Sequence, residues 1–395
     1  MNDYIGDKMK AIINGRLIVP GAGGNFQPEE NKVVIFSRCI EKIIPESEFV
    51  NMDQASFDEV IDAKGKYVSP GFVNVHIHGC VAHDTMDCDV QALHDMADYQ
   101  AQTGVTSFLP TTMTYDLPRI YKALDCVKKA MADVGTGIIG VNMEGPFISA
   151  EYKGAQKESN IQGADFSLIE QFADIIKIIT IAPETLPAGS EFIQQCCRAG
   201  MKVSLGHTAA SYEQAVTAIK DKGADHITHL FNAMTGLHHR RPGVVGAALD
   251  TGVYCELIAD NIHCAPAVQR LVHKVKGLDR LVLITDSMRA CGLGDGKSEL
   301  GGQEVFVKGQ RATLADGTIA GSVLTMDRAV YNYAQNNNIP VWQAVQCATI
   351  TPAQSIGLAE KIGSISVGKQ ADIVLFDDAV NISMTIRRGK RVFSI

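Results

Sequence analysis

The segment PGFVNVHIHG, residues 70–79, joins an apolar run to two closely spaced histidines. Residues 72–75 have the composition of a buried β-strand, and His76 and His78 follow it directly. Side chains two residues apart in a strand point to the same side, so both imidazoles should face one point at the strand's end. Converging imidazoles suit a metal ion, so the segment predicts a strand and part of a metal site.

Apolar runs of this kind recur along the middle of the chain and alternate with helical patterns. The eight runs are residues 71–75, 106–111, 137–143, 176–182, 202–206, 226–231, 255–259 and 280–285. The helical patterns include residues 90–104, 167–174, 190–200, 211–223, 265–277, 325–337 and 341–349. Strands that alternate with helices form parallel βαβ units, so the pattern predicts an α/β fold with a (β/α)₈ TIM-like barrel. A doubly wound open sheet is the alternative, although no GxGxxG motif follows the first strand.

The two chain ends have a different pattern from the middle. Residues 10–66 and 362–395 contain short alternating strands and turn residues without a long helix. Neither end is long enough to bury its own core, so we expect both to form one small β-sandwich domain. The predicted division is residues 1–66 plus 359–395 for this β-domain and 67–358 for the barrel. Residues 298–322 are predicted to form a hairpin excursion before the last barrel helices.

Composition limits the partners and the compartment. The formal net charge is −8, which does not favour nucleic acid or an anionic membrane as a partner. The start lacks an apolar signal segment and no run approaches 18 apolar residues, so we expect neither secretion nor membrane spanning. The ten cysteines include no CxxC pair, which is typical of reduced, cytoplasmic proteins. Residues 1–8 are predicted to be a loose extension.

Polar side chains fall at the carboxyl ends of most predicted strands, where TIM barrels hold their active sites. They are His76, His78, Glu144, Glu184, His207, His229, Asp260, His263 and Asp286. One charged residue at a strand end is unremarkable, but several histidines and several acids at the same end indicate a metal site. We treat Glu184 as structural, and we place His226 at the opposite end of its strand.

The types of these side chains indicate the chemistry. Histidine and carboxylate ligands without cysteine suit Zn²⁺ or Fe²⁺, with Mn²⁺ less favoured. Glu144 has two oxygens and can bridge two metals. A metal lowers the pKa of a bound water, and Asp286 can pass the water's proton to a leaving group. The predicted reaction class is metal-assisted hydrolysis at a polarised carbonyl.

Motifs along nearly the whole chain resemble one family. They are PGFVNVHIHG, EGPFIS followed by KGA, SLGHTAASYEQA, THLFNAMTGLHHRRPG, IADNIH, LITDSMRACGLGDG, DGTIAGSVLTM, ADIVLFD and GKRVF. Together they are similar to the amidohydrolase superfamily and, within it, to the N-acetylglucosamine-6-phosphate deacetylases. The resemblance implies the same barrel with a split β-domain.

The resemblance also implies metal-binding roles. It assigns Glu144, His207 and His229 to the principal metal site, and His76 and His78 to a second site that some members lack. Asp286 resembles the family's catalytic acid and base, and we count it among the metal ligands as well. We therefore expect one or two divalent metal ions, Zn or Fe, in each subunit.

The resemblance further implies a phosphorylated amino-sugar substrate and a homodimer in which Arg240 reaches the neighbouring active site. The implied substrate-binding residues are Ala155, Gln156, Asn232, Ala233, Arg240, Asp260, Asn261, Ile262, His263, Ile319, Ala320 and Gly321. At Gln156 many relatives carry a histidine that polarises the substrate carbonyl. The amide of Gln156 can donate a hydrogen bond but cannot carry a proton.

Three functions are therefore compared. The leading one is hydrolysis of the N-acetyl group of N-acetylglucosamine 6-phosphate to glucosamine 6-phosphate and acetate. The departure at Gln156 motivates the alternative of N-acetylgalactosamine 6-phosphate or another N-acylated small molecule. A non-catalytic barrel scaffold is the remote alternative, because scaffolds of this kind usually lose ligands or the acid/base residue.

Overall fold

The computed structural model describes residues 9–21 and 23–395 of the chain, so the predicted extension at residues 1–8 lies outside the described residues. The described residues begin with short strands and one helical turn, α1 (Glu46–Phe49). The strands are β1 (Lys10–Ile13), β2 (Arg16–Pro20), β3 (Phe26–Glu29), β4 (Lys32–Phe36), β5 (Ile40–Pro45), β6 (Glu59–Asp62) and β7 (Tyr67–Pro70).

The next part of the chain forms the barrel. Its strands, with the short ribbon β9–β10, are β8 (Phe72–Ile77), β9 (Gly79–Cys80), β10 (His83–Asp84), β11 (Val105–Thr112), β12 (Val141–Glu144), β13 (Ile176–Ile181), β14 (Lys202–Leu205), β15 (His226–Ile227), β16 (Tyr254–Ile258) and β17 (Leu281–Ile284). Eight of them form one parallel sheet in the order β17-β16-β15-β14-β13-β12-β11-β8. The predicted barrel is confirmed, and each of the eight apolar runs overlaps one of its strands.

Backbone hydrogen bonds close the seam between β17 and β8. The amide of Asp286 donates to the carbonyl of His76, and the amide of His78 donates to the carbonyl of Ser287, each at 3.0 Å. The seam is therefore closed at the carboxyl ends of the strands, so the first and last strands bring their polar residues together.

Helices cover the barrel, as the alternating pattern predicts. They are α2 (Val90–Gln102), α3 (Leu117–Met131), α4 (Phe192–Arg198), α5 (Tyr212–Lys220), α6 (Gly243–Asp250), α7 (Pro266–Lys276), α8 (Met326–Asn337), α9 (Val341–Gln346) and α10 (Ile350–Ser355). Local sequence sets their starts: the Asp89 side chain caps α2, and Ser211 and Gln214 form a capping box at α5.

The helix predicted at residues 167–174 is wrong. The chain forms two 3₁₀ turns there, Phe166–Leu168 and Glu170–Phe172. The side chain of Asp165 accepts a hydrogen bond from the amide of Ser167, which favours a tight turn. An eight-residue segment also has too few turns for a stable helix without strong tertiary support.

The rest of the chain completes two smaller sheets. The excursion is a three-stranded antiparallel sheet, β18 (Gly296–Leu300), β19 (Gln303–Lys308) and β20 (Arg311–Thr313). The final strands are β21 (Ile373–Phe376), β22 (Ile382–Arg387) and β23 (Lys390–Ser394). They join strands from the chain's start in the sheet β23-β22-β21-β7-β2-β3, which confirms that both ends build one domain.

This sheet packs against the sheet β5-β4-β1-β6 to form the predicted sandwich. Its core includes Ile12, Val34, Phe36, Leu375 and Ile386, all at most 3% exposed. The domain boundaries at residues 66/67 and 358/359 stay predictions; β7, just inside the predicted barrel segment, pairs with β2 and β21. In the part of the chain that the structure describes, no helix has the length and apolarity needed to cross a bilayer.

Candidate metal centre and active site

A cavity of about 400 Å³ opens at the carboxyl ends of the barrel strands. Its lining is His78, Met113, Glu144, Glu151, Tyr152, Gly154, Ala155, Gln156, His207, His229, Asn232, Ala233, His263, Asp286, Leu300, Thr318, Ile319 and Gly321. The floor carries the histidines and carboxylates, and the excursion contributes Leu300 and the segment after β20 to the wall. The position is the one expected for a TIM-barrel active site.

The first ligand group consists of Glu144, His207 and His229. Oε1 of Glu144 lies 3.1 Å from Nε2 of His207 and 3.0 Å from Nε2 of His229. The two Nε2 atoms are themselves 3.1 Å apart. Three ligand atoms at these distances surround one point.

The second ligand group consists of His76, His78 and Asp286. Oδ1 of Asp286 lies 3.4 Å from Nε2 of both histidines. Oε2 of Glu144 is 3.3 Å from Nε2 of His78, so Glu144 faces both groups. The structure thus brings together all six residues that the sequence predicts as metal ligands.

The other ring nitrogen of each histidine is held by an acceptor. The Nδ1 contacts are His76 with Glu256 Oε2 at 2.9 Å, His78 with the Thr111 carbonyl at 3.3 Å, His207 with the Tyr152 carbonyl at 3.0 Å and His229 with the Asn232 carbonyl at 3.1 Å. Carbonyl oxygens only accept, so Nδ1 of His78, His207 and His229 carries a hydrogen, and a metal at the centre would take the place of any proton on the Nε2 atoms.

This arrangement fits a metal ion. The Nε2 atoms of His207 and His229 face each other and repel when neither carries a proton, and the fully buried Nε2 of His76 has no hydrogen-bond partner among the described residues. A cation between such atoms removes the repulsion and satisfies the buried nitrogen. Acceptors that hold the ring nitrogen away from the metal are typical of metal-binding histidines.

Electrostatics keep both carboxylates ionised. Burial raises the pKa of Glu144, but His207 and hydrogen bonds from His229 outweigh it and hold that pKa well below its usual value. Burial acts in the same way on Asp286, and His76 and His78 nevertheless lower its pKa to about 2. Burial lowers the pKa of His76, but the carboxylates of Glu256 and Asp286 overcome it and raise the pKa to about 9.

The backbone aims three of these side chains inward. His207, His229 and Asp286 each lie two residues after the last residue of their strand, and all have positive φ angles of 47°, 28° and 47°. Left-handed backbone is uncommon outside glycine and clusters at functional sites. The chain leaves each strand in a sharp turn that directs the side chain towards the barrel axis.

Gln156 lies against the first ligand group and not free in the cavity. Its Nε2 donates to Oε2 of Glu144 at 2.6 Å, and its Oε1 accepts the amide of Thr114 at 2.7 Å. The side chain is 2% exposed. Gln156 therefore holds Glu144 while it lines the cavity.

The predicted substrate residues divide into two sets. Those that line the cavity are Ala155, Gln156, Asn232, Ala233, His263, Ile319 and Gly321; those that do not are Arg240, Asp260, Asn261, Ile262 and Ala320. Asp260 acts behind the cavity wall, since its Oδ2 holds Nδ1 of His263 at 2.6 Å. Arg240 lies on an exposed loop.

Some site residues were not predicted. Glu256 is fully buried within β16 and contacts His76, and Met113, Glu151, Tyr152, Gly154, Leu300 and Thr318 also line the cavity. An acid in an otherwise apolar strand, CELIA, was the available signal for Glu256. Glu184 holds the turn after His207 by accepting from the hydroxyl of Thr208 and the amide of Ala209. His226 pairs with Asp225 away from the cavity, as predicted.

Comparisons with known proteins show which family the chain resembles. Residues 67–392 match the amidohydrolase family. An N-acetylglucosamine-6-phosphate deacetylase of Bacillus subtilis (strain 168) is 39% identical, over 82% of this chain and 84% of the relative. An N-acetylgalactosamine-6-phosphate deacetylase of Escherichia coli O157:H7 is 34% identical, over 84% of this chain and 89% of the relative.

Solved structures extend the likeness to the whole fold. The crystal structure of N-acetylglucosamine-6-phosphate deacetylase from Pasteurella multocida has a TM-score of 0.91 and 30% sequence identity. The match covers 97% of this chain and 99% of that one. By sequence and fold, the chain belongs to the amidohydrolase family and, within it, to the N-acetylglucosamine-6-phosphate deacetylases.

Proposed function

We propose that the protein hydrolyses the N-acetyl group of N-acetylglucosamine 6-phosphate, releasing glucosamine 6-phosphate and acetate. The observation that carries the proposal is the convergence of six buried ligand side chains on the floor of a cavity of about 400 Å³. Membership of the family and the named activities of its relatives support the same reaction.

We propose that the two ligand groups each hold one divalent cation, Zn²⁺ or Fe²⁺. Four imidazole nitrogens and two carboxylates, without a thiolate, suit either metal. Cations there supply Lewis acidity, which polarises the amide carbonyl and lowers the pKa of the attacking water.

Asp286 is the proposed proton carrier. It lines the cavity and stays ionised at neutral pH because its pKa is about 2. It takes a proton from the water as the new bond to the acetyl carbon forms, and it returns that proton to the nitrogen as the C–N bond breaks. The products are a free amine and acetate.

The cavity wall is proposed to orient the sugar phosphate. Asp260 fixes the ring of His263 through Nδ1, which leaves Nε2 for a substrate oxygen. The amide group of Asn232 donates to the carbonyls of His229 and Leu230, so we assign the phosphate contact to the backbone of Ala233 beside it. The substrate class remains a phosphorylated amino sugar.

The test is an acetate-release assay with the metal-loaded protein. N-acetylglucosamine 6-phosphate should be turned over with a kcat/KM at least about tenfold above that for unphosphorylated N-acetylglucosamine, because a phosphate contact supplies binding energy. Equal turnover of both sugars would contradict recognition of the phosphate group. Absence of acetate release would contradict the proposed reaction itself.

The second candidate substrate is N-acetylgalactosamine 6-phosphate. It is favoured by the 34% identical relative that carries this name. The two sugar phosphates compared at equal concentration separate the candidates, and the epimer with the higher kcat/KM is the substrate.

We also propose that the protein is a cytoplasmic homodimer in which Arg240 reaches the neighbouring cavity. Arg240 is exposed and does not line the cavity of its own chain, and Leu237 on the same loop is 60% exposed. The ten free cysteines support a reducing compartment.

A further inference from the structure

Glu256 is a buried carboxylate that touches one histidine of each ligand group. It lies in β16 and has no exposed surface. Its Oε2 accepts a hydrogen bond from Nδ1 of His76 at 2.9 Å and another from the backbone amide of His229 at 3.1 Å. One oxygen atom therefore anchors the ring of a second-group ligand and the backbone of a first-group ligand.

The partner of His76 differs in charge from those of the other three histidines. His78, His207 and His229 donate from Nδ1 to backbone carbonyls, whereas His76 donates to a carboxylate. A carboxylate on the distal nitrogen fixes the tautomer and makes Nε2 a stronger donor to a metal. Only the second ligand group contains a histidine whose Nε2 is strengthened as a donor in this way.

A count of charges points the same way. Glu144, Asp286 and Glu256 are all at most 8% exposed and bring three negative charges to the floor of the barrel. With neutral imidazoles, one divalent cation leaves an excess negative charge, and a buried uncompensated charge is costly. A second cation brings the net charge to +1 with Glu256 and would bring it to +2 without Glu256, so this carboxylate lowers the electrostatic cost of adding that cation.

We propose that Glu256 is the positioning residue for the second cation, holding His76 in its ligand orientation and balancing the added charge. The inference rests on the two-cation centre of the proposed function. It assigns Glu256 no contact with the substrate.

The experiment titrates the metal-free protein with Co²⁺, following both calorimetric stoichiometry and the d–d absorption that reports ligand geometry. In Glu256→Gln the amide oxygen can still accept both hydrogen bonds, but the negative charge is lost. We expect the second cation to bind about 10- to 100-fold more weakly and the first to change by less than about threefold. Glu256→Asp keeps the negative charge but places it farther from His76, because the side chain is shorter. This variant should weaken the binding of the second cation by a smaller factor.

Asp372→Asn is the matched control. Asp372 is a buried carboxylate whose Oδ1 accepts the amide of Arg388 at 2.7 Å, and it does not line the cavity. This variant should bind both cations as the wild type does. Circular dichroism of the metal-free variants checks folding, and Glu256→Asp carries the test if Glu256→Gln does not fold.

The outcomes are distinguishable. If the wild type binds two cations and both Glu256 variants bind the second equally well, or lose both cations to the same degree, the role of Glu256 is refuted. If the wild type binds only one cation, the two-cation centre of the proposed function fails before Glu256 is considered.

Discussion

Asp286 combines an ionised carboxylate with access to the cavity. Changing Asp286→Asn keeps its shape but removes its ability to carry a proton, so kcat should fall about 10²- to 10⁴-fold while KM changes little. The first ligand group does not include Asp286, so at least one bound metal should remain. Steady-state kinetics and elemental analysis check both points; near-normal kcat would remove Asp286 from the mechanism.

Gln156 offers a second prediction at the residue scale. Its amide donates to Oε2 of Glu144 at 2.6 Å, so Gln156→Leu should remove this hydrogen bond and leave the carboxylate of Glu144 less firmly oriented. We expect the first cation to bind at least about tenfold more weakly, measured by competition with a chelator. Gln303→Ala is the control, because Gln303 holds the carbonyl of Ala155 and does not touch Glu144. A rise in KM with unchanged metal affinity would instead make Gln156 a substrate contact.

Individual residues were predictable where local spacing sets direction. The i, i+2 spacing of His76 and His78 on a strand was sufficient to predict their convergence. Glu256 was not predicted, because its function depends on a contact with His76, 180 positions away in the chain. The amide of Asn232 likewise turns back onto its own loop, which depends on the backbone conformation after β15.

At the scale of elements, the turn between β22 and β23 is fixed by its contact with the loop after β4. A Cβ at Gly389 would lie against the carbonyl of Ser37, and φ at this glycine is +75°. Gly389→Ala should therefore lower the free energy of unfolding by about 3 kcal/mol or more, because backbone atoms on both sides must move.

Gly368 provides the matched control for this turn. It also has a positive φ, +88°, but a Cβ added there would meet no atom within 4 Å. Gly368→Ala should lower the free energy of unfolding by about 1–2 kcal/mol, because only backbone strain is added. Denaturant unfolding of both variants gives the difference, and equal losses would show that the contact with Ser37 is not limiting.

Elements were predictable where they are long or strongly patterned. Strands buried on both faces read as apolar runs, and all eight barrel strands were found in this way. The prediction of a helix at residues 167–174 was wrong because their apolar spacing fits a helix, whereas the side chain of Asp165 stabilises a turn. Strand length was less predictable: the run at 226–231 contains only His226–Ile227 as strand, since the chain turns to aim His229 inward.

At the scale of the whole molecule, both chain ends meet in one sheet because neither can bury a core alone. That argument needs only length and pattern, so the sequence was sufficient for it. The association of two chains could not be predicted in this way. The sequence pattern of a surface loop such as residues 237–241 does not indicate which surface of another chain the loop contacts. Its function must be tested between subunits.

The proposed homodimer predicts that two defective chains can complement each other. Arg240→Ala should raise KM about tenfold or more by removing a guanidinium from the substrate phosphate, while Asp286→Asn should remove turnover. In a mixed dimer, the Asp286→Asn chain supplies Arg240 to the cavity of the Arg240→Ala chain, which has an intact Asp286. Random pairing of equal amounts makes half of the dimers mixed, and each mixed dimer has one complete site. About a quarter of wild-type activity should therefore return at low substrate concentration.

Light scattering establishes the dimer, and separately purified chains assayed without subunit exchange are the control. If activity does not return in dimers known to be mixed, Arg240 does not act in the neighbouring site. Such dimers combine an intact Asp286 of one chain with an intact Arg240 of the other.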